Sequence, residues 1–284
     1  MQPPNTQRPT SSPAAAPPRR PGPLLPAQAR IHPLDELSSL ADPKLAKRPE
    51  AQAAIVSVVA RLRKLIQVPD LWPLPHQVPA LAYCELARDR AIVGDDPGLG
   101  KTITLLLRIL LGDHYPAIIV VTATMLGEWE KEANKWLPKV KVYRVEHKVQ
   151  RVPPPGWQGI VLVTWDMLMH HDEALTALVA SRAGKPSRGI LCVDEAHKGA
   201  YDENAARSQA LAMIAERAPH LLLATGTPVQ NDGRELWRLL RLVDPRRWPD
   251  DEPFKRFNKD NYDGDHSDFK RKISQFMVRR EKHV

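Results

Sequence analysis

Residues Asp95-Asp96-Pro97-Gly98-Leu99-Gly100-Lys101-Thr102 stand between a short apolar run, Ala91-Ile92-Val93, and the helix-forming Ile103-Thr104-Leu105-Leu106-Leu107. A strand, a glycine-bearing loop and a helix start, in that order, make a phosphate cradle. The N–H groups of the loop and first helical turn point at the anion, and the helix dipole favours negative charge there. Gly98 and Gly100 let the backbone approach oxygen atoms that a Cβ would block. Lys101 can reach the β- and γ-phosphates of a nucleotide, and the Thr102 hydroxyl is placed to ligate Mg²⁺. Asp95 stands where the pattern usually has its first glycine. A turn before a surface helix, with Lys101 merely solvated, would use the same residues, so the distinction rests on what the rest of the chain carries.

Two further segments carry chemistry. Gly189-Ile190-Leu191-Cys192-Val193 runs straight into Asp194-Glu195-Ala196-His197. An apolar strand followed by Asp-Glu puts two carboxylates at a strand's C-terminal edge, where open α/β sheets hold their ligands. One carboxylate there can hold Mg²⁺ through its water shell, while the second orients a water on the γ-phosphate. Helix capping explains one acidic residue at that position better than two. Leu221-Leu222-Leu223-Ala224-Thr225-Gly226-Thr227-Pro228 is again a buried strand ending in small hydroxylated residues. Thr225 and Thr227 can hydrogen-bond the Asp-Glu segment and report the state of the phosphate to other surfaces; plain turn formers would look the same. Ahead of the loop, Leu74-Pro75-His76-Gln77 opens a helix through Leu81, Cys84 and Leu86. A glutamine amide offers a donor and an acceptor together, which suits the edge of adenine, although an exposed helix residue fits the local pattern equally.

The elements that must position these residues alternate. Ala117–Val121 and Ile160–Thr164 are continuous apolar runs that read as buried parallel strands. Lys139–Val145 alternates with period two and reads as a strand with a basic face. Leu126, Trp129, Ala133 and Trp136 recur at helical spacing, so the tryptophans belong to the core rather than to a base-stacking surface. Helices are expected over Asp166 to about Ala183, around Ala205–Glu216, and from Arg234 onward. His170 and His171 point about 100° apart on such a helix and cannot easily share an ion, so they read as surface histidines. Strands alternating with helices of this length mean βαβ units and a mostly parallel sheet. Residues 50–66 place Ile55, Val58, Val59, Leu62, Leu65 and Ile66 on one face of an amphipathic helix docked on the main body. Residues 1 to about 30 are Pro/Ala/Gln-rich with four arginines and no acid, and read as a disordered tail.

Composition bounds the partners. The chain has 284 residues, 43% of them hydrophobic, and a formal charge of +8, which suits a polyanion. Cys84 and Cys192 form no disulfide framework and no metal-ligand spacing. No apolar run approaches the roughly 18 residues of a membrane span, and the N-terminus lacks a signal-peptide core. A soluble, intracellular protein with no membrane partner is the expectation.

At this point the chain resembles the Swi/Snf family of helicase-like ATPases, within the second helicase superfamily. Gln77 matches the family's adenine-reading glutamine, and Asp95–Thr102 resembles its Asp-Glu-Met-Gly-Leu-Gly-Lys-Thr loop. Asp194-Glu195-Ala196-His197 matches its second motif. Thr225-Gly226-Thr227-Pro228-Val229-Gln230-Asn231, with Glu235-Leu236-Trp237, is similar to its third. Phe276-Met277-Val278-Arg279-Arg280-Glu281-Lys282 is similar to the segment that closes the family's first lobe. Asp96-Pro97 stands in place of the family's Glu-Met, Thr122 in place of a common proline, and Lys198 in place of an arginine. None of these removes a phosphate or metal ligand.

The resemblance covers residues about 70–284. It implies an α/β fold: a three-layer RecA-like P-loop NTPase lobe, with a mostly parallel central sheet and helices on both faces. Residues 1–30 would be the tail, 31–70 a helical extension, and 71–284 the first ATP-binding lobe. It further implies ATP and Mg²⁺ as cofactors. Gln77, Asp96, Pro97, Gly98, Leu99, Gly100, Lys101 and Thr102 would hold ATP, with Thr102 and Asp194 on the metal. Asp194, Glu195 and Lys101 would be the catalytic groups, Glu195 positioning the attacking water. His197, Thr225, Gly226 and Thr227 would couple the site to DNA contacts, and Thr124 and Thr164 match family positions near the DNA backbone. Double-stranded DNA is the implied partner, held mainly through phosphates. The family's second lobe, with its arginine finger, is not represented in these residues, so a second RecA-like lobe in cis or as a separate subunit is also implied. A strand-separating DNA or RNA helicase, and a non-hydrolytic nucleotide- or DNA-binding adaptor docking through residues 31–70, are the alternatives.

Overall fold

The computed structural model describes residues 49–66, 68, 70–180, 187–200, 204–228, 233–249 and 273–281. The tail at 1–30, most of the 31–70 extension before Pro49, Val229-Gln230-Asn231 and the basic residues of 251–272 lie outside the described residues.

Among the described residues, seven strands form one sheet: β1 (Arg90–Val93), β2 (Ala117–Val121), β3 (Val142–Val145), β4 (Ile160–Thr164), β5 (Ile190–Val193), β6 (His220–Ala224) and β7 (Met277–Val278). Their order is β3-β4-β2-β5-β6-β1-β7, and every pairing is parallel. The continuous apolar runs follow from this, because a parallel strand covered on both faces has no side that faces water. Successive side chains alternate between two cores. Val93, Ile119, Leu162, Cys192 and Leu222 join one, and Ile92, Ile118, Val161, Leu191 and Leu223 the other.

The first core is covered by α1 (Pro49–Leu65), α2 (Gln77–Leu86), α3 (Lys101–Gly112) and α4 (Leu126–Trp136). The second is covered by α5 (Trp165–Leu168), α6 (Asp172–Ala180), α8 (Ala206–Arg217) and α9 (Gly233–Val243), with the single turn α7 (His197–Ala200) between α6 and α8 in sequence. This is the three-layer arrangement expected. α1 docks through Ala51, Val58 and Leu62 onto α2 and α3, whereas Leu65 points to solvent. No described helix is long and apolar enough to cross a membrane.

Two elements differ from the sequence expectation. The helix expected over 166–183 is broken after Leu168, and His171 turns inward in the gap. There it is buried with Nε2 3.0 Å from the His147 carbonyl oxygen, so only His170 is the surface histidine expected. The strand expected from Lys139 begins at Val142, because a turn closed by Val140 N donating to Leu137 O occupies the preceding residues. Its basic character is neutralised locally, since Arg144 pairs with Glu130 at 3.1 Å and Glu146 at 2.7 Å.

At the sheet's opposite, N-terminal edge, Arg90 donates to the carbonyl oxygens of Ala218, Leu242 and Val243 at 2.9–3.0 Å. One guanidinium thereby satisfies the orphan carbonyls that end α8 and α9. Beside it, Arg108 forks onto both oxygens of Asp89 at 2.7 and 2.6 Å and reaches Glu85 at 2.9 Å. His114 Nε2–H donates to Asp89 Oδ2 at 2.7 Å, and its ring lies 3.9 Å from that of His220. Asp89, His114 and His220 have metal-like proximity. Arg108 already supplies the buried positive charge and occupies both carboxylate oxygens, so this cluster serves as a structural knot.

Candidate nucleotide site

The strand order places β5, β6 and β1 side by side, with Val193 opposite Leu223 and Val93 opposite Ala224. The three sequence motifs therefore leave the same sheet edge as neighbours: the phosphate loop from β1, Thr225 from β6 and the acidic pair from β5. Their loops interlock. Thr225 N donates to Val93 O at 3.1 Å, Ala196 N to Ala224 O at 2.9 Å, and Asp194 N to Val120 O at 2.8 Å.

The loop from Gly94 to Gly100 has the geometry of an anion cradle. Gly98 and Gly100 adopt φ of 83° and 73°, the left-handed region that glycine enters without a steric penalty. Gly100 caps α3, whose first residue is Lys101. Lys101 Nζ donates to Asp95 O at 2.8 Å and Asp96 O at 3.4 Å, folded back along its own loop. Thr102 follows in the first turn, half-buried beside it. Asp96 is half-buried, while Pro97 and Gly98 are exposed and Leu99 half-buried on the loop's outer side.

Gln77 is wholly buried, against the exposed-helix alternative. Its Oε1 accepts from Leu74 N at 2.8 Å, and its Nε2 donates to Gly100 O at 3.1 Å and Leu99 O at 3.4 Å. His76 Nε2 sits 2.9 Å from the same Leu99 carbonyl oxygen. A Cβ built at Gly100 would meet Gln77 Nε2 and displace this amide, while the φ of 73° is what favours glycine there. At the other side of the loop, a Cβ at Gly226 would come within 2.9 Å of the Pro97 ring. Small residues at 100 and 226 thus let the three segments close on one another.

Asp194 is buried. Its Oδ2 accepts from the indole N–H of Trp129 at 2.9 Å, and its Oδ1 from Glu195 N at 3.0 Å. Burial pushes its carboxyl above the usual range; the Trp129 hydrogen bond opposes that push and the neighbouring Glu195 charge adds to it. Glu195 takes a left-handed backbone with φ of 48°, and its carboxylate is half-exposed. His197 Nδ1 lies 3.1 Å from Thr225 Oγ1 and 3.3 Å from Glu195 Oε2, and Thr225 Oγ1 accepts from Thr227 N at 3.1 Å. Thr225 is wholly buried and Thr227 exposed, so the hydroxyl that bonds the acidic segment is Thr225 alone.

Thr124 is exposed in the single 3-10 turn after β2. Thr164 is buried, and its hydroxyl accepts from Met167 N at 3.4 Å as the N-cap of α5. Both leave the sheet edge that carries the motifs; Thr124 is exposed, with its hydroxyl 3.1 Å from that of Thr122, and Thr164 is buried.

The donor set suits a magnesium nucleotide. Thr102 and Asp194 offer the hard oxygen ligands that Mg²⁺ takes while keeping several waters. Asp194 is a desolvated carboxylate held by N–H donors, the setting in which a cation is favourable. Sequence reasoning missed Trp129 as a partner of Asp194, because its helical spacing accounts for it fully as core. It also missed the clamp that Arg280 places on Asp95: Arg280 Nε donates to Asp95 Oδ1 at 2.8 Å, Nη2 to Oδ2, and Arg280 N to Oδ1 at 3.1 Å. Asp95 in place of a glycine was the signal for that clamp.

The SNF2-related domain matches residues 76–284. Protein CHROMATIN REMODELING 19 of Arabidopsis thaliana is 34% identical over 209 residues, which cover 62% of this chain and 26% of that protein. DNA repair and recombination protein RAD54B of Gallus gallus is 28% identical over 193 residues, covering 60% of this chain and 20% of the relative. The chain thus spans about a quarter or less of these relatives' length. The Sulfolobus solfataricus SWI2/SNF2 ATPase core in complex with dsDNA shares the fold, with a TM-score of 0.64 at 20% identity over 78% of this chain and 46% of that one. With the matched region taking in the phosphate loop, the Asp-Glu pair and the Thr225 turn, the chain belongs to the SNF2-related domain family.

Proposed function

We propose that this chain is the ATP-binding lobe of a DNA-dependent ATPase that moves along double-stranded DNA. The observation that carries the reading is the adjacency of β5, β6 and β1, which gathers the phosphate loop, Asp194-Glu195 and Thr225 at one edge of the sheet. In this reading the loop N–H groups and Lys101 hold the phosphates, Lys101 keeping its bond to the Asp95 carbonyl and turning its remaining donors to them. Gln77 reads the adenine edge, exchanging its bond to the Gly100 carbonyl to do so. Thr102 and Asp194 would hold Mg²⁺, which when bound would supply charge neutralisation to the phosphates. Glu195 orients the attacking water, and His197 with Thr225 relays the state of the site to the adjoining surface. Catalysis of this kind is chiefly positioning and electrostatics. The family relatives and the dsDNA complex of the structural neighbour support duplex DNA as the track. Thr124, exposed beyond β2, is the better placed of the two threonines to meet a phosphate backbone.

Turnover is proposed to need a second RecA-like lobe bearing an arginine finger, supplied by the rest of a longer protein or by a partner subunit. The test is a titration of fluorescent ATP with and without Mg²⁺ on the chain and on Lys101→Ala. It is followed by ATPase assays with the second lobe added, in the presence of duplex DNA, single strands or RNA. Mg²⁺-dependent binding lost in Lys101→Ala, and turnover raised most by duplex DNA, are expected. Stimulation by single strands or RNA alone would point to strand separation. Absence of Mg²⁺-dependent binding would reject the reading.

A further inference from the structure

The last described residues grip the phosphate loop at its root. β7 pairs with β1, and the pairing continues beyond both strands: Gly94 N donates to Val278 O at 2.8 Å, and Asp96 N to Arg280 O at 3.0 Å. Between those two contacts Asp95 is wholly buried, and Arg280, 7% exposed, folds back onto it. The guanidinium takes both carboxylate oxygens and the Arg280 main-chain N–H takes Oδ1 as well, across 185 positions of sequence. The Asp95 main-chain carbonyl meanwhile accepts from Lys101 Nζ at 2.8 Å. A desolvated carboxylate is costly unless its partner is well placed. A loop position that needed only a tight turn would carry glycine without that cost.

We infer that Arg280 is a positioning residue for nucleotide binding: its fork fixes Asp95, the Asp95 carbonyl sets the poise of Lys101, and the seating of β7 is thereby read at the phosphate loop. The inference rests on the ATP-binding reading above. It makes the C-terminal end of the sheet, rather than the loop alone, a determinant of affinity for the phosphates.

The experiment measures Mg·ATP and Mg·ADP affinity and thermal unfolding of the 284-residue chain for wild type, Asp95→Asn, Arg280→Lys, Lys101→Ala and Asp89→Asn. Arg280→Lys keeps the charge and loses the fork, so it reports even if Asp95→Asn folds poorly. Asp89→Asn breaks the comparably buried pair with Arg108 at the other edge of the sheet and controls for stability. Asp95→Asn and Arg280→Lys are expected to weaken ATP binding about tenfold or more, as loss of a supporting partner does at other charged sites. The weakening should be greater for ATP than for ADP. Asp89→Asn should lower the unfolding temperature and leave ATP affinity unchanged. Wild-type affinity in both Asp95→Asn and Arg280→Lys, with binding lost in Lys101→Ala, would overturn this inference alone, as would equal weakening in Asp89→Asn. Absence of ATP binding by the wild type would overturn the nucleotide reading and this inference with it.

Discussion

Gln77 and Trp129 show how a side chain can serve the fold and the site through the same atoms. Gln77 spends its amide on Leu74 N and the Gly100 carbonyl, closing the segment before α2 onto the phosphate loop. Gln77→Glu would replace the Nε2 donor with an oxygen facing the Gly100 carbonyl. A loss of about 1–3 kcal/mol is expected from the unsatisfied buried group, with weaker ATP binding, both measurable by urea unfolding and nucleotide titration. Trp129→Phe keeps an aromatic ring in the wholly buried position, leaves a cavity where the larger indole stood, and removes one donor from Asp194. It should cost about 1–3 kcal/mol and raise the Mg²⁺ concentration needed for nucleotide binding, whereas a purely packing role would leave that concentration unchanged. The residue types of the loop and of the acidic pair were legible in the sequence because each motif is local. The Trp129–Asp194 and Arg280–Asp95 bonds were not, since they join residues 65 and 185 positions apart. Only the misfit of Asp95 in a glycine position hinted at either.

The elements themselves were legible where periodicity was decisive. The runs at 117–121, 160–163, 190–193 and 221–224 are apolar at every position, and a parallel strand between two helical layers requires that. The break after Leu168 was not legible, because it depends on His171 reaching the His147 carbonyl in another loop. Packing predicts that Leu62→Ala in α1, wholly buried against α2 and α3, costs about 2–5 kcal/mol in a urea titration. ATP affinity of the folded fraction should remain intact. The N-terminal edge of the sheet adds a pH dependence. Burial holds His220 down to about 4; His114 and Arg90 push the same way, against Asp89 and the Arg88 carbonyl. The unfolded chain therefore takes a proton that the folded chain refuses, and stability falls as pH drops from about 6.5 towards 4. For Asp89, burial would raise the carboxyl, but Arg108 and His114 prevail and hold it at about 2. That contribution is present above about 3.8 and is lost only as pH approaches 2. Unfolding midpoints should decline between about pH 6.5 and 4, and His220→Gln should flatten the decline.

At the scale of the whole molecule, charge and the proposed second lobe bear on different steps. The formal charge of +8 favours a polyanion, and basic residues such as Lys255, Arg256, Lys270 and Arg271 cluster late in the chain. If DNA is held through its phosphates, each neutralised phosphate adds about −0.9 to the slope of log affinity against log salt. Two contacts already account for about a tenfold loss between roughly 50 and 200 mM salt. Duplexes of unrelated sequence should lose affinity in parallel in fluorescence-anisotropy titrations. Turnover should behave differently from binding. The carboxylate of Glu195 is half-exposed and close to His197, so its proposed task is to orient water rather than to hold phosphate. Glu195→Gln should then bind Mg·ATP within a few-fold of wild type and fail to hydrolyse it even with the second lobe and DNA. In the unaltered chain, adding that lobe should raise turnover by about 10³-fold or more, the contribution of an arginine finger in related enzymes. Single-turnover assays separate the two steps. Loss of ATP binding in Glu195→Gln would move this residue from the water to the phosphates, and undiminished hydrolysis would remove it from the chemistry altogether.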